Sequence, residues 1–77
     1  GELTMCLAVP LKLISIDGQT GVGEFDGVRR KVQLTFVPKA KVGDYVIVHA
    51  GFAMEIMDEE QAELDREAFR EVTRALE

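Results

Sequence analysis

The sequence predicts a mainly β fold: a small antiparallel β-barrel followed by a C-terminal α-helix. Three observations carry that expectation. Short runs of alternating or β-branched apolar residues recur between glycine turns as far as Met57. From Asp58 onward the apolar period changes to that of a helix. Strands and helix are segregated along the chain, with no βαβ alternation, which argues against a nucleotide-binding α/β fold. The 77 residues are enough for one domain. That domain is expected to span 1–77, with the barrel over about 7–57 and the helix over about 59–76. Closing the sheet into a barrel would remove edges that otherwise invite aggregation.

The first strand is expected between Leu7 and Ile16. Leu7, Val9, Leu11 and Leu13 share one parity, then Ile14 and Ile16 take the other, and such a switch signals a bulge. Pro10 has no N–H to donate, so regular pairing should begin only at Leu11. Asp17 to Gly21 reads as a turn and Val22 to Phe25 as a short strand. Asp26-Gly27 is a two-residue hairpin signal. Val28, Arg30, Val32, Leu34 and Phe36 then fall on one face of a half-buried strand, with Arg30 at its margin. Pro38 to Gly43 is a polar connection. Asp44 to Ala50 is rich in β-favouring residues on both parities, as expected of a well-covered strand. Ala50, Gly51 and Ala53 suggest a bend around Phe52, with pairing resuming to Met57.

In the helical segment Asp58 and Gln61 have capping-box spacing. Leu64, Ala68, Phe69, Val72, Ala75 and Leu76 define one apolar side, interrupted by Asp65, which is expected to cover the sheet. Glu63/Arg66, Glu67/Arg70 and Glu71/Arg74 have ion-pair spacing on the opposite, solvated side.

Charge narrows the class of partner. Fourteen acidic against nine basic residues give a net charge of −5. Residues 1–54 are nearly balanced at +1, while residues 55–77 carry −6. Nucleic-acid binders display a basic patch, and Arg29-Arg30-Lys31 is the only candidate, so no nucleic-acid partner is expected. No apolar run reaches membrane-spanning length and the start does not read as a secretory signal, so the expected setting is cytoplasmic without a membrane. The single cysteine cannot form an internal disulfide.

Few side chains are left for chemistry. There is no phosphate loop, CxxC, HExxH or serine elbow. Glu59 and Glu60 suit a helix start, and Asp17, Asp26 and Asp44 neighbour turns. Cys6 and His49 remain. Each has a bland reading, a buried small hydrophobe and an ordinary strand histidine. Thiolate and imidazole together suit iron or zinc, but two side chains cannot complete a structural tetrahedral site. A metal held by this pair would sit in an open or shared site, fitted to carrying rather than keeping. A small enzyme with Cys6 as nucleophile and His49 as base, or a barrel module binding RNA or peptide, are the rival readings.

Met5-Cys6-Leu7-Ala8-Val9-Pro10 and the stretch from Gly43-Asp44-Tyr45 through His49-Ala50-Gly51-Phe52-Ala53 together resemble the HypC/HupF family of NiFe-hydrogenase maturation chaperones. The resemblance covers nearly the whole chain. It implies an OB-like barrel with a C-terminal helix, and no catalytic turnover. It implies a HypD-type iron–sulfur maturation protein and the hydrogenase large-subunit precursor as partners. The implied cargo is iron, held transiently as Fe(CN)2CO, with no permanent cofactor. Carried over by residue, Cys6 and His49 are the implied iron contacts, and Met5, Cys6, Pro10 and His49 the implied partner-binding set. In the family the cysteine directly follows the initiator methionine, whereas Gly1-Glu2-Leu3-Thr4 precede Met5 here. Those residues are expected to be a remnant foreign to the motif or to follow an upstream start. A free amino group on Cys6 would supply a third donor, with an ordinary pKa of about 7.7–8.0, which such an extension denies.

Overall fold

A computed structural model describes residues 9–75. Five strands, β1 (Leu11–Asp17), β2 (Thr20–Phe25), β3 (Val28–Gln33), β4 (Tyr45–His49) and β5 (Phe52–Met57), close in the order β1-β2-β3-β5-β4. The helix α1 (Glu59–Ala75) follows. The expected barrel with a C-terminal helix is the observed architecture. All strand pairs are antiparallel except β3 with β5, which meet in parallel at one register position, Gln33 opposite Phe52.

Local chemistry accounts for the elements. Regular pairing of β1 starts at Leu11, directly after Pro10, and the register slips between Leu13 and Ser15, where the parity switch predicts a bulge. The β2–β3 hairpin turns through Asp26 (φ 50°) and Gly27 (φ 84°), the left-handed pair that matches strand twist. Gly23 is required by close approach. A Cβ there would lie 2.8 Å from the Leu11 Cβ, so the barrel wall pinches where β1 crosses β2. Between β3 and β4 the chain makes hydrogen-bonded turns rather than a loose connection, with Val37 buried beneath them. Asp44 caps the last turn, its Oδ2 accepting from the Lys41 N–H at 3.0 Å.

The core is Leu13, Val32, Leu34, Val37, Val46 and Ala53, with Leu11, Ile16, Ala40 and Val48 packed around it. Asp58 caps α1: its Oδ2 accepts from the Gln61 N–H at 3.1 Å.

The helix does not bury the side that periodicity selects. Leu64 is 63% exposed and Val72 49%, and Ala68 and Ala75 are exposed, while Ala62 and Arg66 face the barrel with Phe69 partly covered. Leu76 lies outside the described residues. The reason is chemical. Arg66 can satisfy buried barrel carbonyls that Leu64 and Val72 cannot, and its flat guanidinium fits between aromatic rings. Of the three anticipated ion pairs, Glu67–Arg70 (3.2 Å) and Glu71–Arg74 (3.1 Å) form. Glu63 and Arg66 instead take separate partners on the barrel.

Candidate functional site

The site is built outward from one buried cation. Arg66 Nη1 donates to the carbonyl oxygens of Pro10 at 2.8 Å and Glu24 at 2.9 Å, and Nη2 to Glu24 Oε1 at 3.3 Å. Its guanidinium lies 5.0 Å from the Phe25 ring centroid and 5.3 Å from that of Tyr45. Around it, Tyr45 donates its hydroxyl to Glu63, Arg70 donates to Asp26 at 2.7 Å, and Phe25 meets Phe69 edge-on. The Gly27 N–H, donating to Glu24 Oε2, holds that carboxyl below the usual carboxylate range; Arg66 acts in the same direction, while partial burial opposes both. The hydrogen bond that the Tyr45 hydroxyl donates to Glu63, reinforced by burial, pushes the phenol up to about 12.

This cluster fixes Pro10, whose side chain is fully buried and whose carbonyl is held by the helix. β1 pairs with β4 through Leu11 opposite Val46 and Lys12 opposite Tyr45. Because the pair is antiparallel, the start of β1, just after Pro10, lies at the same end as the end of β4, and Val9 and Val48 line one groove. His49 is exposed at the end of β4, after buried Tyr45, Val46 and Ile47, and opposite Phe52. The next two residues form a tight turn with Ala50 at φ 53° and Gly51 at φ 85°. Alanine in the left-handed region costs about 1 kcal/mol, so the turn beside His49 is mildly strained.

Of the residues singled out from the sequence, Pro10 and His49 are therefore brought to one end of the β1–β4 pair. Met5 and Cys6 lie outside the described residues. Among the described residues no three His, Cys, Asp or Glu side chains gather as a ligand group.

A groove of ≈ 560 Å³ opens at the same end, bounded by Val9 and Leu11 of the first segment, Val28 and Val32 of β3, and Val48 and Gly51 around the β4–β5 turn. Sequence reasoning missed Arg66 and its ring partners. The signal was present, because Ala62, Arg66 and Phe69 are spaced i, i+4, i+7. Counting only apolar residues hides a stripe whose middle member is an arginine.

A small closed barrel, with a helix tied to its first strand and an open end carrying an exposed histidine, defines the class. Residues 5–69 match the family model described as the HupF/HypC family, and the chain belongs to that family. It is 44% identical over 71 residues to the hydrogenase maturation factor HypC of Cupriavidus necator, covering 91% of this chain and 79% of the relative. It is 46% identical over 65 residues to that of Synechocystis, covering 77% and 86%. The HypC of Escherichia coli K12 is 38% identical over 64 residues, covering 75% and 71%.

Two predictions come from the Arg66 cluster. Arg66→Met, which keeps the apolar stem but leaves the Pro10 and Glu24 carbonyls unpaired, should lower unfolding free energy by about 2–4 kcal/mol in urea titration. The sole tyrosine, in a chain without tryptophan, permits a clean absorbance titration. Tyr45 should ionise near 12 in the folded protein, and Glu63→Gln should bring it back towards 10. The folded-state pKa is raised, so this contribution to stability is complete below about pH 10 and is lost as pH rises towards 12.

Proposed function

We propose that this chain is a cytoplasmic hydrogenase maturation chaperone that carries iron, as Fe(CN)2CO, between two proteins. Its donors are the Cys6 thiolate and the His49 imidazole. Its partners are a HypD-type iron–sulfur protein, which supplies the group, and the hydrogenase large-subunit precursor, which receives it. The carrier turns over no substrate. Met5 and Pro10 complete the partner-binding segment with Cys6 and His49.

The observation that carries this reading is the β1–β4 pairing. It brings the start of β1, just after Pro10, to the end of β4 that carries His49, with Val9 and Val48 lining one groove, which supports a site shared by the two motif segments. Arg66 strengthens the argument, because its bond to the Pro10 carbonyl makes the origin of the Cys6 segment a fixed point. Membership of the family and the names of its relatives support hydrogenase maturation as the setting.

The chemistry suits a carrier. Cyanide and carbonyl already occupy several positions on low-spin iron, so the protein need supply only a few soft or borderline donors. An exposed histidine at a strand end is reachable by a second protein, and incomplete coordination permits release.

Cys6→Ala and His49→Ala should each cut the yield of mature hydrogenase in cells while leaving far-ultraviolet circular dichroism unchanged. His49 is exposed, so its replacement should alter stability by no more than about 0.5 kcal/mol. An undiminished yield of active hydrogenase with Cys6→Ala would sink the proposal.

A further inference from the structure

The barrel is closed between β3 and β5 at a single register position, Gln33 opposite Phe52. On its other side β3 is paired with β2 along its whole length, from Phe25 opposite Val28 to Thr20 opposite Gln33. In an antiparallel ladder, successive residues turn their backbone N–H and C=O alternately towards and away from the partner. Gln33 turns away from β2, since its N–H donates to the Gly51 carbonyl oxygen at 2.8 Å. Arg29 and Lys31 share that phase. Among the described residues their backbone groups have no ladder partner, because the β3–β5 contact ends at Gln33. Among the described residues, the half of β3 from Val28 to Lys31 is an open strand edge.

That edge borders the groove described above, whose walls include Val28, Val32, Val48 and Val9. Val28 is 55% exposed. The edge is also basic. Arg66, Arg70 and Arg74 each meet a carboxylate, whereas Arg29, Arg30 and Lys31 form no ion pair among the described residues. An open edge, an apolar trough beside it and unneutralised cations along it are the requirements for adding a strand from another chain.

We infer that β3 receives an extended segment of a partner protein in which apolar residues alternate with Asp or Glu. Main-chain hydrogen bonds to Arg29 and Lys31 align the segment. Its apolar side chains enter the groove against Val28 and Val32, and its carboxylates, on the opposite face, meet Arg29 and Lys31. The groove also reaches Gly51, two residues past His49, so the segment lies beside the donor end of the barrel. This deepens the assembly role proposed above, on which it rests for the partner's identity. Its test requires no iron, so failure here leaves iron carriage standing.

The experiment is an NMR titration of the 15N-labelled full chain with the synthetic peptide acetyl-Glu-Val-Asp-Leu-Glu-Val-amide, beside a control in which lysine replaces every acidic residue. The acidic peptide should shift the Arg29 and Lys31 amides, slow their hydrogen exchange, and bind at least about tenfold more tightly than the control. The double variant Arg29→Glu/Lys31→Glu should reverse that preference. Lys31→Pro removes an outward-facing N–H without breaking the β2 ladder, and should abolish binding. The inference is overturned by unchanged spectra at millimolar peptide, by equal binding of both peptides, or by shifts centred on the exposed Phe36–Phe52 pair. Slow exchange of the Arg29 and Lys31 amides in the free chain would also overturn it, since the edge would already be occupied.

Discussion

A guanidinium buried between two aromatic rings holds this molecule together. Arg66 reaches from α1 to the carbonyls of Pro10 and Glu24, and so ties the last element of the chain to the first and to the β2–β3 hairpin. Burying a cation is costly unless it is paired and hydrogen-bonded, and here two carbonyls, one carboxylate and the faces of Phe25 and Tyr45 offset that cost. Tyr45–Glu63 and Arg70–Asp26 flank the contact. The seam between helix and barrel is therefore largely polar, which sets its geometry more narrowly than a greasy contact would. The consequence for function lies at Pro10, where the segment bearing Cys6 begins.

This arrangement also explains which parts of the fold were legible in the sequence. Strands, turns and the β1 bulge follow from local chemistry: Pro10 delays pairing, Asp26-Gly27 turns the hairpin, and the parity change at Ile14 marks the slip. The cap at Asp58 is equally local. The orientation of α1 was not legible, because it depends on carbonyls from residues 42 and 56 positions away in sequence. Leu64 and Val72 satisfy helical periodicity and yet stay in water. Barrel closure is a similar case. Alternation predicts a closed sheet, but it does not reveal that β3 and β5 share one position and leave the Arg29–Lys31 edge open among the described residues.

The candidate site divides along the same line. His49 and Pro10 stand out by residue type and by the motifs around them. What the sequence could not supply is that the start of β1 and the end of β4 lie at one end of the barrel, as their antiparallel pairing requires. Cys6 and Met5 fall outside the described residues, and the role proposed for them draws on family membership and on the path of the chain up to Val9. Charge is distributed to match. The helix carries six of the fourteen acidic residues, while the strand edge next to the groove keeps its cations unpaired among the described residues.

The proposed iron-carrying role is tested most directly by infrared spectroscopy of the chain, prepared to begin at Cys6 and purified together with a HypD-type iron–sulfur protein. Stretching bands of iron-bound cyanide and carbonyl should appear in the complex and disappear when Cys6→Ala or His49→Ala is introduced. Bands that persist unchanged in both variants would contradict the role, as would a complex that lacks them while hydrogenase matures normally in the same cells.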